Sequence, residues 1–317
     1  MAFITNFGTL FGVVPETTGR IFWVAPSATY TIAGNSYSAS DNHDGLSPER
    51  ALLTVNRAWA LVSANCGDVI VLLPGAHTTA ATITANVAGV TMMGLPRYAG
   101  SASRPITSLT ISSSADIVTI SASNIEIAWI HLIPVTTMDS VACATAGVTG
   151  IHVHHCSFDL ETAAASTSTK GIAQGTASIS ASYYHDNVFY CDSAQGNGID
   201  FSSASGGSGA NSLVEDCSFI QSAGTWASAL RHGPSTDGGR GLLVRNCDFI
   251  VSNGTLTVGI AGSATNTEEG VHIHNCYFSD SVTVAVDTHG ARGAEIAENY
   301  QAGVGATDGG VLITAIT

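Results

Sequence analysis

VHIHNCYF, residues 271 to 278, decides the fold because it recurs. Further back the chain reads LLVRNCDF, SLVEDCSF, SYYHDNVF and IHVHHCSF, ending at Phe249, Phe219, Phe189 and Phe158. From Phe158 to Phe278 the steps are 31, 30, 30 and 29 residues, and a weaker copy, EIAENYQ, puts Asn299 where most others have cysteine. Self-similarity at a fixed period marks a solenoid, in which each repeat stacks on the next. Within the blocks, Ile151/Val153, Ser182/Tyr184, Ser212/Val214, Leu242/Val244 and Val271/Ile273 alternate with His152/His154, Tyr183/His185, Leu213/Glu215, Leu243/Arg245 and His272/His274. A period of two is a strand with one face inward. Three residues before each phenylalanine stands His155, Asp186, Asp216, Asn246 or Asn275. Asn and Asp are the types that best tolerate a left-handed kink. Beyond it, Cys156, Asn187, Cys217, Cys247 or Cys276 and then the phenylalanine point inward again. Strand, polar bend and short strand describe one corner of a parallel β-helix, with like residues stacked roughly 4.8 Å apart. A helical solenoid does not fit, because the blocks lack a 3.6-residue period and are rich in β-branched residues and glycine.

Composition agrees with a solenoid and narrows its partners. A chain of 317 residues needs no second core if it grows by adding coils. The net charge is −14, only 11% of residues are charged, and Lys170 is the sole lysine. Nucleic acid and anionic membranes demand clustered Lys and Arg, so neither is an expected partner. A polyanionic substrate such as pectate is disfavoured for the same reason. There are seven cysteines, four of them in one inward column, which predicts reduced, buried thiols rather than a secreted disulfide framework. MAFITNFGTLFGVVPETTGR has no positive charge ahead of its apolar stretch and makes a poor signal peptide. No run of 18 apolar residues offers a membrane span.

In chain order, residues 1–37 read as an arm and first strand and 38–317 as the β-helix domain. The apolar arm runs to about Pro15 and either folds over the end of the solenoid or docks on a partner. IFWVAP (21–26) is a strand, and Asp44-Gly45 marks a turn. Thr54 caps a predicted helix from Val55 to about Ala64, with Val55, Trp59 and Val62 on one face. That helix would close the open end of the first coil. Regular coils are predicted over 67–301, with a C-terminal end at 302–317. Strand-like stretches are VIVLL (69–73), GVTMMG (89–94), SLTIS (108–112), DIVTIS (116–121) and IEIAWIHL (125–132). TAAASTSTK, SSASGGSGAN, GPSTDGGR and SNGTLTVGIAGSATNTEEG read as loops projecting from one side.

The order strand, DGLSP, TVNRAWALV, GDVIVLLPGAH, followed by the NC-x-F copies, resembles the pectate-lyase-like right-handed β-helix superfamily across nearly the whole chain. The resemblance implies an all-β, right-handed, single-stranded parallel β-helix with an N-terminal capping helix. It implies no single function, because the superfamily holds polysaccharide lyases and hydrolases, phage tailspikes and inert virion proteins. In its Gly/Ser/Thr/Ala-rich coils and its GVGATDGGVLITAIT ending the chain is most similar to virion-associated β-helix proteins of tailed phages.

Chemistry is sparser. A further strand column aligns Gly171-Ile172-Ala173, Gly198-Ile199-Asp200, Ala229-Leu230-Arg231, Gly259-Ile260-Ala261 and Ala285-Val286-Asp287. Asp200 and Arg231 would then face outward on adjacent coils, with His232 alongside and Asp287 three coils from Asp200. An outer acid pair can cleave glycosidic bonds, so Asp200, Arg231 and Asp287 are the catalytic alternative. The bland reading is a cross-strand ion pair and a solvated aspartate. His152 with His154, His272 with His274, and His185 between them tempt a metal reading. Glu215 and Arg245 separate His185 from His274, so the expectation is a solvated face without metal. DNHDG (41–45) lacks the bidentate Glu of a known calcium loop and serves equally well as a turn. No phosphate-binding glycine loop or Ser/His/Asp elbow appears.

One outer column, Tyr183, Leu213 and Leu243, forms a contiguous apolar stripe. It is either an interface or the bed of a long loop. The integrated reading is an oligomeric, trimeric, non-enzymatic virion structural protein. A capsid decoration (cement) protein comes first and a tail-associated spike second. Its partners would be itself and the major capsid protein or another virion protein, without cofactor. It would be made in the host cytoplasm and carried on the virion. The alternative is a polysaccharide-degrading or carbohydrate-binding β-helix, against which stands an aromatic content of only 7%.

Overall fold

Each repeat block forms the strand that its alternation predicts. His152–His154, Tyr183–His185, Leu213–Glu215, Leu243–Arg245 and His272–His274 pair in parallel, one per coil, in the register His152, Tyr183, Leu213, Leu243, His272. Val153, Tyr184, Val214, Val244 and Ile273 are buried on the opposite side of these strands. The computed structural model describes residues 18–95, 105–134, 138–160, 169–174, 179–192, 196–201, 210–232, 241–262, 270–287, 295–302 and the backbone of 311–313. Three long sheets lie among the described residues. The first holds ten strands, from Ile21–Val24 to Glu295–Ala297. The second also holds ten, from Gly75–Thr79 to Val311–Ile313, whose last strand is antiparallel. The third holds eight, from Ile83–Ala85 to Val282–Asp287. The chain visits the three in turn and returns to the first one rung higher, which is an all-β parallel β-helix.

The corners explain why the repeat is legible. His155, Asp186, Asp216, Asn246 and Asn275 have φ between 51 and 54°, and each turns the chain from the first sheet to the second. Trp129 and Glu298, both at φ 58°, do the same in flanking coils. IEIAWIHL is therefore two strands, Glu126–Ala128 and His131–Ile133, and not one. A left-handed conformation costs a bulky residue roughly 1–2 kcal/mol. At Trp129 the ring stacks on His155 of the next coil with centroids 4.1 Å apart, which offsets part of that cost. A second left-handed corner, before the first sheet, uses Asn124, Ala181, Asn211 and several glycines. It has no fixed residue type and was not legible in the sequence.

Inside, Phe158, Phe189, Phe219, Phe249 and Phe278 stack with centroid separations of 4.6, 4.9, 4.9 and 4.6 Å. Cys156, Cys217, Cys247 and Cys276 are buried, and all seven cysteines are free thiols. Burial pushes the Cys156 thiol up to about 12 and raises Cys247 well above its ordinary value. A protonated, enclosed thiol is a poor nucleophile. A maleimide added to native protein should therefore label exposed Cys66 rapidly and the four column cysteines only on unfolding, as peptide mapping will show. Fast labelling in the column would mean that the coils open.

At the N-terminal end several boundaries differ from those predicted. Ile21–Val24 is the first rung of the first sheet, so the β-helix begins there and not at residue 38. The division at 37/38 falls inside a hairpin, Thr29–Ile32 with Asn35–Ser38, that turns at Ala33 and Gly34. Thr54 caps the helix as expected, its hydroxyl accepting from Arg57 N at 3.2 Å. The helix spans only Val55–Trp59, because Leu61 N turns back three residues to Ala58 O at 2.9 Å, and beyond it Ser63 N donates to Asp68 Oδ2 at 2.8 Å. It packs against Ile21–Val24, Val69–Leu72 and Ile83–Ala85, with Val55, Ala58 and Trp59 buried, and so covers the end of the core. The stretch 255–261, read as part of a loop, is a seven-residue strand of the third sheet. The apolar arm to Pro15 and the loop segments 162–168, 202–209, 233–240 and 263–269 lie outside the described residues.

Candidate functional site

The outer face of the first sheet carries two columns of side chains. One runs Glu126, His152, Tyr183, Leu213, Leu243, His272, Glu295. The other runs Ala128, His154, His185, Glu215, Arg245, His274, Ala297. Period-two alternation places both on the same side of the sheet. Tyr183, Leu213 and Leu243 are thus adjacent, and each is half-buried. Among the described residues no loop seals the stripe. Glu215 borders it, accepting from Tyr183 Oη at 2.9 Å and pairing with Arg245 Nη2 at 2.6 Å. Burial, reinforced by this carboxylate, pushes the Tyr183 phenol up to about 12.

At one end of the stripe the histidines converge. His152 Nε2 lies 2.8 Å from His185 Nε2, across two adjacent coils. His154 Nε2 lies 2.8 Å from Glu126 Oε1, and its Nδ1 2.8 Å from His155 Nδ1. His185 Nδ1 lies 2.6 Å from Asp186 Oδ2. Burial, and then the neighbouring imidazoles, hold His152 down at about 4, so it is neutral near pH 7. The ligand atoms of His152, His154 and His185 all fall within 4.8 Å of one another, as do those of His155, His185 and Asp186 and those of His272, His274 and Glu295. Glu215 and Arg245 separate His185 from His274, as expected. His185 nevertheless sits directly beside His152 and His154, which suffices for three ligands.

The catalytic alternative fares worse. The register aligns Ala173, Asp200, Arg231, Ala261 and Asp287 as expected, so Asp200 and Asp287 are three rungs apart. That is roughly 14 Å, beyond the 6.5–9.5 Å of an inverting pair. Asp200 does not face solvent either. It is 3% exposed and paired with Lys170 Nζ at 3.0 Å, and His232 is fully buried. The structure brings Asp200 together instead with Lys170 and Asp139. Asp139 Oδ1 accepts from Lys170 N, and Asp116 Oδ1 accepts from Asp139 N, both at 2.9 Å. Burial, with the carboxylates of Asp116 and Asp200 adding to it against Lys170, raises Asp139 to about 7. Asp139 and Lys170 belong to no motif, so only the coil register reveals them.

Two further features were not legible in the sequence. His131 Nδ1 lies 2.7 Å from Ser157 Oγ, with His131 Nε2 3.6 Å from Asp159 Oδ2. All three residues are buried, and Ser157 sits in a strand rather than a nucleophile elbow, so a substrate has no access. A second apolar column, Tyr190, Ile220 and Ile250, runs half-buried along the outside of the second sheet. Of the two readings of DNHDG the turn is the one seen: Asp41 accepts from Leu53 N, Thr54 N and Thr54 Oγ1 at 2.8–3.0 Å, just before the helix.

No protein-family model matches the sequence, and neither does any curated protein. Among solved structures, a pectin methylesterase from Aspergillus niger aligns at 13% identity, covering 93% of this chain and 89% of its own, with a TM-score of 0.55. One from Erwinia chrysanthemi aligns at 11% identity over 93% of this chain and 92% of its own, also at 0.55. ORF18 of Geobacillus virus E2 aligns at 11% identity over 81% of this chain and 59% of its own, at 0.46, too loosely to bear on function. At such identities the likeness speaks for the fold alone. The chain has the pectate-lyase-like right-handed parallel β-helix fold.

Proposed function

We propose that this chain is a non-enzymatic structural protein of a tailed-phage virion, in the first place a capsid decoration protein and in the second a tail-associated spike, assembled as a homotrimer. The observation that carries the structural reading is the stripe of Tyr183, Leu213 and Leu243, half-buried on adjacent rungs of a rigid sheet. The virion reading rests on the resemblance of the sequence. Strands within the sheet are already paired above and below, so subunits join through side faces. Burying each leucine contributes about 1.5–3 kcal/mol, multiplied over three chains around one axis. Light scattering after size exclusion is expected to give three times the chain mass of 32.3 kDa. Leu213→Arg sets three like charges near that axis and is expected to give folded monomers. If Ile220→Arg dissociates the assembly and Leu213→Arg does not, the stripe on the second sheet is the interface. A wild-type monomer ends the proposal.

A second reading, a carbohydrate-active β-helix, is favoured by Asp139, whose raised carboxyl beside Lys170 and Asp200 has the makings of a general acid. Under the structural reading, wild type releases no oligosaccharide from a panel of acidic and neutral polysaccharides. Release that disappears in Asp139→Asn would reverse the ranking.

A further inference from the structure

We propose that His152, His154 and His185 form a binding site for one divalent late first-row transition ion, with Zn²⁺ as the representative, held within a single chain on two adjacent coils. Imidazole nitrogens select zinc, copper and nickel over calcium and magnesium. Geometry favours the site. Around a tetrahedral ion with N–metal distances of about 2.1 Å, ligand nitrogens stand roughly 3.4 Å apart. His152 Nε2 and His185 Nε2, at 2.8 Å, need to part by only roughly 0.6 Å. A ligand nitrogen of His154 lies within 4.8 Å of these two and closes by at most roughly 1.4 Å. With its Nε2 held by Glu126, the nitrogen that ligates is Nδ1, which exchanges its 2.8 Å contact with His155 Nδ1 for the ion. Without an ion, two facing ring nitrogens at 2.8 Å must share one proton. An ion between them satisfies both lone pairs.

The surroundings are those of a supported site. Asp186 Oδ2 at 2.6 Å from His185 Nδ1 orients that ring with its Nε2 toward His152. Glu126 Oε1 holds His154 while its Oε2 accepts from Thr91 Oγ1 at 2.8 Å, so a chain of three residues fixes this edge. Carboxylate partners of this kind set the tautomer and raise ligand basicity. The rings also pack on one another, His154 on His185 with centroids 4.8 Å apart and Tyr183 on His185 at 4.2 Å. The backbone beneath is paired on both sides, so the ligands stand on a rigid element. His272, His274 and Glu295 are a looser counterpart, with side chains 39%, 29% and 58% exposed.

The test uses tag-free protein stripped with chelator, incubated with ZnCl₂, desalted, and assayed for zinc by mass spectrometry, with titration calorimetry for affinity. Wild type, Cys66→Ser and His272→Ala are each expected to retain one ion per chain, whereas His152→Ala and His185→Ala retain none. Asp186→Asn is expected to weaken binding by about tenfold while leaving the stoichiometry intact. Co²⁺ should give a visible ligand-field spectrum that is lost in His185→Ala. Circular dichroism confirms that the variants are folded, as expected for outward-facing positions. The assignment is overturned if wild type retains no zinc, if His152→Ala and His185→Ala retain as much as wild type, or if the ion is lost on Cys66→Ser or His272→Ala.

Discussion

Phe219→Ala is expected to cost about 3–5 kcal/mol of stability, the upper range for a single core truncation. Phe219 is fully buried between Phe189 and Phe249, each ring 4.9 Å away and nearly parallel. Removing it opens a gap that neighbouring coils cannot close, since rung spacing is set by backbone hydrogen bonds and not by the side chains. On the inner side the ring lies against bare backbone. A Cβ added at Gly198 would come within 2.8 Å of ring atoms Cδ1 and Cε1, so this glycine exists to admit the phenylalanine. Chemical denaturation followed by circular dichroism will measure the loss. A value below about 1 kcal/mol would mean that the coils collapse onto the cavity after all. Because stability in a solenoid is close to a sum over neighbours, the effect should centre on the coils that hold Phe189 and Phe249.

This stack shows why the fold was legible and much of the surface was not. Period-two alternation and a kink residue three places before each phenylalanine are local, repeated signals, and repetition lets weak propensities add coil by coil. Where the repeat lapses, the reading lapsed with it. Trp129 occupies a left-handed corner that nothing in its residue type announces, so the sequence reads as one strand where two exist. The helix is shorter than its apolar pattern predicts because Leu61 N turns back to Ala58 O and Ser63 N goes to Asp68, neither of which the pattern announces. Outward direction, too, did not equal exposure. Asp200 follows an inward isoleucine as expected, yet Lys170 from the preceding coil reaches over and pairs with it. The histidine cluster depends on which residues share neighbouring rungs. That register can be counted from the repeats, in which Tyr183–His185 follows directly on His152–His154.

Asn187→Ala is expected to cost about 2–4 kcal/mol, although the asparagine occupies a column filled mostly by cysteine. The side chain is fully buried and works in both directions. Its Oδ1 accepts from Cys156 N at 3.0 Å, and its Nδ2 donates to Val153 O at 2.8 Å. It thereby serves two backbone groups of the coil below, at the corner where the left-handed residue His155 interrupts the ladder. Asn299 repeats the arrangement on Cys276 N and Ile273 O, both at 2.8 Å. Alanine leaves a buried donor and a buried acceptor without these partners, which costs roughly 1–3 kcal/mol for each group not served by water. Asn187→Asp separates the two roles. An ionised carboxylate still accepts from Cys156 N but cannot donate to Val153 O, and it adds the cost of a buried charge. Burial raises the folded-state pKa of such an aspartate above its unfolded value, so the protonated form is favoured in the fold. Its stability is then greatest below the unfolded pKa and falls as pH rises toward the folded one. Asn187→Asp should therefore be less stable than Asn187→Ala at pH 7 and recover toward wild type in acid, measured relative to wild type at each pH. Equal stability of the two variants across that range would show that the donor to Val153 contributes nothing.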